Sequence, residues 1–293
     1  MVALCALALL GAGAGGAKVS AADVTPYTGL GTWISIYSPS FKTNAARLAA
    51  GLAQRGVQTL FVETGNFRQR VDIVGARQLG RLIESAHEQG IAVVGWYLPD
   101  FTNTARDLRR ARAAINFRTT GGDRFDSFAL DIESSIVRNP TLRNRRLLDL
   151  SARLRKSVGP DYSLGAIIPS PVGMKLLPRY WPHFPYAALA RTYDAVLPMA
   201  YFTYRASTRA AVSSYVQTGV RIIRRESGDA TVPIHVIGGL ADRTSTSAAA
   251  AFLQAVATCD VEGFSLYDYG GTKTSVWSLL GRPAIAASSV APC

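Results

Sequence analysis

Two carboxylates two residues apart, Asp131 and Glu133, are the side chains of this sequence that are best placed to do chemistry. They end the segment Phe125–Glu133, which reads Phe-Asp-Ser-Phe-Ala-Leu-Asp-Ile-Glu and has the alternation of a β-strand. Because side chains alternate along a strand, both carboxylates project from the same face, ~6–7 Å apart. Like charges at that separation shift each other's pKa, so one of the two becomes a proton donor near neutral pH.

The alternative is that both carboxylates lie on the wet face of an antiparallel sheet. The rest of the chain favours a parallel sheet, because apolar runs typical of strands alternate with segments of helical periodicity. The apolar runs are Thr32–Tyr37, Thr59–Thr64, Ala92–Leu98, Ser127–Glu133, Tyr162–Ile168, Ala195–Tyr201, Val232–Gly238 and Gly263–Tyr269. The clear helical segments are Thr43–Arg55, Ala76–Gln89, Thr104–Phe117, Pro140–Val158, Thr208–Glu226 and Ser245–Thr258.

This alternation predicts an α/β fold, a (β/α)₈ TIM barrel that forms a single domain over residues 30–282. Barrels of this kind have about 250 residues, which matches that span. A doubly wound open sheet is the main alternative. It usually carries a glycine-rich turn after the first strand, whereas here that strand leads into Ser38-Pro39-Ser40.

Active sites of TIM barrels lie at the carboxyl ends of the strands, so the residues there are the candidate site. Asp131, Glu133 and Tyr201 are the candidate catalytic residues. The candidates for substrate binding are Tyr37, Glu63, Tyr97, Asp100, Met199, Tyr267 and Tyr269. The proline-rich segment 169–194 is expected to overhang this mouth, with Tyr180 and Trp181 as platforms for stacking. Paired carboxylates with aromatic walls suit glycoside hydrolysis, in which one acid protonates the leaving oxygen.

The segment from Asp126 to Glu133 resembles the fourth-strand motif of glycoside hydrolase family 18, the chitinase-like barrels. That motif is Asp, Gly, any residue, Asp, apolar, Asp, apolar or aromatic, Glu. Met199-Ala200-Tyr201 resembles the sixth-strand Met-x-Tyr of the same family. The resemblance implies that Glu133 is the general acid and that Asp131 orients the substrate's own N-acetyl group, which acts as the nucleophile. It also implies that Tyr201 hydrogen-bonds that group.

Several positions depart from the family pattern. Ala129 stands where the family has the middle Asp, Ser127 where it has Gly, and Phe202 where an Asp follows the sixth-strand Tyr. The final-strand Trp is replaced by Tyr267 or Tyr269. The Asp-x-Glu pair is also similar to that of the lysozyme-type barrels of glycoside hydrolase family 25. The main hypothesis is therefore a hydrolase of a polysaccharide that contains N-acetylhexosamine or a related sugar. The alternative is a carbohydrate-binding barrel without turnover.

The composition and the motifs of the sequence limit which binding partners and cofactors are expected. The net charge is +12, but the arginines are scattered over the predicted helices and no nucleic-acid-binding motif is present. The expected partner is a carbohydrate polymer, with electrostatic association to an anionic cell envelope as a further option. The 3 histidines have no carboxylate or cysteine at metal-ligand spacing, so no metal is expected. The sequence contains no nucleotide-binding motif, and no cofactor is expected. A monomer is expected.

Both ends of the sequence suggest an exported protein. Val2–Leu10 is apolar and is followed by small residues, as in a secretory signal peptide cut near Ala21 or Ala22, so residues 1–22 are assigned to a signal, without its basic start. The protein is expected to be secreted or located in the cell envelope. Cys259 and Cys293 form an even pair outside this segment, which suits an oxidising compartment and predicts a disulfide. Residues 283–293 are a C-terminal tail.

Overall fold

The computed structural model describes residues 23–282 and Cys293. The predicted signal segment and residues 283–292 of the predicted tail lie outside the described residues. The strands are β1 Gly29–Ile34, β2 Thr59–Asn66, β3 Ala92–Leu98, β4 Ser127–Asp131, β5 Leu164–Ile168, β6 Ala195–Pro198, β7 His235–Leu240 and β8 Gly263–Tyr267. The helices are α1 Ala45–Ala53, α2 Ala76–His87, α3 Thr104–Ile115, α4 Pro140–Val158, α5 Pro171–Leu176, α6 Tyr186–Thr192, α7 Arg209–Ser227, α8 Thr246–Thr258 and α9 Thr274–Leu280.

The strands form one parallel sheet of 8 strands in the order β6-β5-β4-β3-β2-β1-β8-β7. Two isolated parallel bridges, Val196 to Ile234 and Met199 to Ile237, link the two edges of that sheet. The sheet is therefore a nearly closed barrel with helices around it. This confirms the predicted (β/α)₈ barrel and excludes the doubly wound alternative.

The two faces of the strands build two layers of apolar core. Inward-facing side chains such as Trp33, Phe61 and Leu197 fill the barrel, and the indole of Trp33 stacks on the ring of Phe61 with centroids 4.2 Å apart. Outward-facing side chains such as Phe128 and Leu130 pack under the helices. Because the period of a strand is 2, this division decides which residues can reach the mouth.

Side-chain caps begin most of the outer helices. Asn44 accepts from the backbone N–H of Arg47, and Asn139 accepts from that of Leu142 just before the proline that starts α4. Ser170 caps the short helix α5 in the same way. The proline-rich stretch between β5 and β6 therefore contains two short helices, α5 and α6.

The base of the barrel is closed by buried polar contacts and by a disulfide. Tyr27 is fully buried at the base, where its hydroxyl lies 2.6 Å from Ser127 Oγ. Cys259, which ends α8, is bonded to Cys293, with Cα atoms 4.6 Å apart, which confirms the predicted disulfide. No helix in the described ranges is long and apolar enough to cross a bilayer.

Candidate active site

Asp131 and Glu133 lie together at the mouth of the barrel, at the end of β4. Asp131 faces inward like Ala129 two residues before it, because Phe128, Leu130 and Ile132 occupy the outer layer. The Asp131 side chain is buried, and its Oδ1 has no hydrogen-bond partner within the described chain. Glu133 is half-buried and lines a cleft. A buried carboxyl oxygen without a partner in the protein is rare in folded proteins, and such groups are found at catalytic sites.

Burial and mutual repulsion raise the pKa values of this pair. Burial raises the pKa of Asp131 well above its usual range, and the nearby charges of Glu133 and Glu63 raise it further. Burial also raises the pKa of Glu133. Because the two groups titrate together, their shared proton belongs to the pair and is held to higher pH than an ordinary carboxyl would hold it. The site can therefore supply a proton to a leaving oxygen.

Glu63 is a third carboxylate at the mouth, and the chain holds it in place. Its Oε2 accepts from the backbone N–H of Ile36 at 3.1 Å, and its Oε1 accepts from Asn66 Nδ2 at 2.9 Å. The Asn66 amide also donates to the hydroxyl of Tyr37, an exposed side chain on the β1 loop. Burial raises the pKa of Glu63, and the charge of Glu133 adds to the effect. The fixed geometry of Glu63 suits positioning or binding better than proton transfer.

Three other predicted residues also face the interior at the mouth. Met199 is buried in the inner layer, and Tyr201 and Tyr267 pack against that layer with ring centroids 6.3 Å apart. Burial raises the pKa of the Tyr201 hydroxyl well above 10, and the charges of Asp131 and Glu133 add to this shift. The Tyr201 hydroxyl therefore stays protonated and can donate a hydrogen bond to a ligand. The peptide bond after Tyr267 is cis.

A cleft of about 270 Å³ leads away from Glu133 toward the loops after β5 and β6. Its lining residues are Glu133, Pro169, Ser170, Gly173, Met174, Leu177, Tyr180, Met199, Tyr201, Tyr204, Arg205 and Tyr215. The hydroxyl of Tyr180 donates to the backbone carbonyl of Glu133 at 2.7 Å, which ties the overhanging segment to the end of β4. A cleft lined by several tyrosines and one acid fits a polar ligand that stacks on aromatic faces.

Two predicted binding residues, Tyr97 and Asp100, lie outside this constellation, which corrects the sequence prediction. Tyr97 points outward and its hydroxyl donates to Asp107 of α3 at 2.8 Å, because inward and outward positions alternate on β3. Asp100 is buried beside the start of α3 and pairs with Arg106 at 2.6 Å. Burial raises the pKa of Asp100, but hydrogen bonds from Thr102 and Arg106 outweigh it and lower the pKa. The Asp100 carboxylate and the Tyr97 hydroxyl therefore both bind partners within the protein.

Trp181, which is buried, and Tyr269, which is half-buried, also pack against helices in the outer layer. The Trp181 ring is only 2% exposed, the Arg143 guanidinium lies over it at 4.0 Å, and its indole N–H donates to Asn144 of α4. It therefore anchors the segment after α5 and is not a sugar platform. Tyr269 packs beside Trp277 of α9, with ring centroids 6.0 Å apart. Of the two predicted platforms, only Tyr180 reaches the cleft.

Trp96 is the inward-facing residue that the sequence reasoning missed on β3. It pairs in register with Ala129 and belongs to the inner layer, and its buried Nε1 has no partner in the part of the chain that the structure describes. Alternation places Val94, Trp96 and Leu98 on one face of β3 and Tyr97 on the other, but it does not show which of these two apolar faces turns inward. The indole N–H, like Asp131 Oδ1, is a buried polar group of the inner layer without a partner among the described residues.

The departures from the family motif have clear structural surroundings. Ala129 is fully buried next to Trp96, so the inner layer holds no acid below Asp131 on β4. Phe202 is also fully buried and packs against Phe252 of α8. The first Asp of the motif, Asp126, accepts from the backbone N–H of Val93 and therefore pins β4 to β3. Within residues 23–282, no cluster of three or more possible ligands could hold a metal ion.

Comparison with known proteins shows the class of fold. No protein-family model and no curated protein matches the chain by sequence. The endo-beta-1,4-mannanase from Thermotoga petrophila is similar in structure, with a TM-score of 0.67 and 10% identity over 87% of this chain and 76% of that chain. A chitinase from Bacteroides thetaiotaomicron gives a TM-score of 0.65 and 11% identity over 88% of this chain and 96% of that chain. A chitinase from Chromobacterium violaceum gives 0.61 and 13% identity over 86% and 98%. The chain therefore has the TIM-barrel fold that these mannanase and chitinase structures share.

Proposed function

We propose that this protein is a glycoside hydrolase that cleaves a polysaccharide containing N-acetylhexosamine, with Glu133 as the general acid. The observation that carries the proposal is the carboxyl pair at the end of β4. Glu133 lines a cleft with aromatic walls, and Asp131 is buried beside it with an oxygen that has no partner among the described residues. The glycoside hydrolase-type barrel and its chitinase and mannanase neighbours support the class of reaction.

The reaction follows from the roles of three side chains. The protonated Glu133 gives its proton to the glycosidic oxygen as the bond from that oxygen to the sugar C1 breaks. The carbonyl oxygen of the N-acetyl group forms a bond to C1, and the free Oδ1 of Asp131 is suited to accept the amide N–H of that group. The hydroxyl of Tyr201 donates to the same group. Water then attacks C1, the bond from C1 to the N-acetyl oxygen breaks, and the Glu133 carboxylate takes a proton from the water, which restores the starting state.

A barrel that binds carbohydrate without cleaving it is the second candidate. The observation in its favour is that Ala129 and the buried Phe202 occupy two positions where family 18 has acids. Without an acid below Asp131, the pair cannot pass a proton down the strand. The intact Asp131 and Glu133 favour turnover.

Hydrolysis and binding measured on the same panel separate the two candidates. Release of reducing ends from chitin, mannan and peptidoglycan glycan strands is the first readout, and affinity for oligosaccharides of each is the second. We expect the wild type to cleave at least one polymer and Glu133→Gln to lower that turnover by ~10²-fold or more while it still binds. Glu88→Gln, an exposed residue at the end of α2, is the matched control. Full activity of Glu133→Gln, or binding without cleavage by the wild type, refutes the hydrolase.

Export is part of the same proposal, since a polysaccharide of the cell envelope lies outside the cytoplasm. The Cys259–Cys293 disulfide supports an oxidising compartment. N-terminal sequencing of the protein recovered from the culture medium and envelope is the test. A start near Asp23 is the expected result, and a cytoplasmic product that retains Val2–Leu10 would refute it.

A further inference from the structure

Two arginines lie on the loops after β6 and β7, across the barrel mouth from the strands that carry the catalytic acids. Arg205 follows the 3₁₀ turn Phe202–Tyr204 after β6 and lines the cleft together with Glu133. Arg243 ends the 3₁₀ turn after β7, and its guanidinium lies 5.6 Å from the ring centroid of Tyr204. A hydrogen bond from the backbone N–H of Leu240 to the Thr203 hydroxyl joins the two loops. Both arginines therefore belong to one small region of the mouth.

Neither guanidinium forms an ion pair with a carboxylate anywhere in residues 23–282, whereas other arginines near the mouth do. Arg106, for example, is paired with Asp100 on the β3 side. The acids of the mouth, Glu63, Asp131 and Glu133, lie on the side of β2 and β4. The mouth thus has a carboxyl cluster on one side and, on the other, two arginines that form no ion pair with a described residue.

Tyr204 lies next to both arginines and to Tyr201, and its side chain is exposed. Its side chain is 60% exposed, it lines the cleft, and its ring centroid lies 6.2 Å from that of Tyr201 in the catalytic group. An exposed aromatic face can stack on a sugar ring, while a guanidinium beside it forms bidentate hydrogen bonds with an anionic group on that ring. A neutral sugar would leave both guanidiniums unpaired.

From this arrangement we infer an acidic subsite: Tyr204, Arg205 and Arg243 bind a sugar that carries an anionic substituent, at a position along the cleft from the cleaved bond. The inference rests on the proposed function, because it names the substrate class of the same cleft. The substrate is an acidic polysaccharide, and the shared chemistry of its substituent is a negative charge borne on oxygen, as in a carboxylate, sulfate or phosphate.

Matched oligosaccharides test this subsite directly. The probes are β-1,4-linked N-acetylglucosamine and β-1,4-linked mannose oligomers, each with a hydroxyl, carboxylate, sulfate or phosphate at C6. Affinities are measured by calorimetry with Glu133→Gln, so that no probe is consumed. We expect at least one acidic form to bind about 10-fold more tightly than its neutral parent, and the preference to weaken as salt rises. The arm that binds most tightly identifies the substituent.

Variants then assign the preference to these side chains. We expect Arg205→Gln and Arg243→Gln each to lower the acidic-to-neutral affinity ratio about 3-fold, and the double variant to bring it close to one. Arg221→Gln is the matched control, because Arg221 is exposed on α7 and bonds only to Thr218 of its own helix. Melting curves confirm that each variant is folded.

The outcomes separate this inference from the proposed function. Equal affinity for neutral and acidic probes, an unchanged ratio in the double variant, or no binding of any probe overturns the acidic subsite. If the wild type cleaves neutral and acidic polymers equally well, the subsite is refuted and the hydrolase stands. If acidic probes bind in an arginine-dependent manner and the wild type cleaves none of them, the subsite stands and the hydrolase is refuted.

Discussion

Buried polar side chains lie at both ends of the barrel, and their partners differ. At the base, the Tyr27 hydroxyl meets Ser127, whose Oγ donates to the Ser163 carbonyl at 2.7 Å. His235 lies between the Tyr27 carbonyl at 2.9 Å and the hydroxyl of Ser265 at 3.0 Å. At the mouth, Asp131 Oδ1 has no partner among the described residues. Partnered groups at the base contribute to stability, whereas an unpaired buried carboxyl costs stability and is retained for another reason.

This difference between the base and the mouth indicates that the functional groups lie at the mouth. Conformational stability comes from the base and from the layers of apolar side chains, and the mouth holds a cluster of carboxyl groups whose pKa values are raised by burial. Stability is commonly given up at active sites in this way. Variants at the base should therefore change stability and leave chemistry intact, whereas variants at the mouth should lower turnover without a loss of stability.

The disulfide at the base gives the largest expected effect on stability. It closes a loop with a sequence separation of 34, so the chain-entropy relation gives about 3–4 kcal/mol. The double variant Cys259→Ser, Cys293→Ser should lose that amount of unfolding free energy in urea titrations and keep the wild-type turnover per folded molecule. A loss below about 1 kcal/mol, or a clear change in turnover, would show that the base and mouth are not separate.

Because of His235, the stability of the protein should fall as the pH is lowered. Burial lowers the pKa of His235 to about 4, although its hydrogen bond to the Tyr27 carbonyl opposes the shift. The unfolded pKa is about 6.5, so the stability contribution is complete above pH 6.5 and is lost as the pH falls through 4. The stability advantage of the wild type over His235→Gln should shrink by about 3 kcal/mol between pH 7.5 and pH 4. A difference in stability that is constant over this range would mean that His235 is not buried in its neutral form.

At the mouth, Asp131 should change stability with pH in the opposite direction and by a smaller amount. Because burial raises its folded pKa, its ionisation weakens the folded state progressively as the pH rises above the unfolded value of about 3.9. Asp131→Asn cannot ionise, so it should be more stable than the wild type by about 1–2 kcal/mol at pH 7 and show no such gain near pH 3. Thermal melts at both pH values are the measurement. Destabilisation at pH 7 would place Asp131 with the structural groups of the base.

The alternation of inward and outward side chains along the strands explains how much of the site could be predicted from the sequence. The barrel followed from the rhythm of strands and helices, and Asp131, Glu133, Met199 and Tyr201 followed from their positions at strand ends. The reading of β3 was wrong by one position, since it chose Tyr97 where Trp96 faces inward. Periodicity alone does not fix which face of a fully buried parallel strand turns inward, because both faces are apolar.

The loops were the other limit of the sequence reasoning. Trp181 and Tyr180 are neighbours in a proline-rich segment, and only the packing of Trp181 under Arg143 decides that Tyr180 reaches the cleft. Arg205 and Arg243 are 38 positions apart by number, and the hydrogen bond that joins their loops has no sequence signature. Such contacts arise from tertiary structure, which neither local propensity nor residue spacing encodes.

The pH dependence of kcat/KM, compared between the wild type and Asp131→Asn on a polymer that the wild type cleaves, tests the central claim most directly. If the carboxyl pair at the mouth does the chemistry, the basic limb of the wild-type profile lies well above the ordinary carboxyl range, because burial and repulsion retain the pair's last proton. Asp131→Asn removes one of the two like charges, so the limb should move to lower pH and turnover should fall. A basic limb at the same pH in both proteins, or no turnover by the wild type at any pH, would contradict the account.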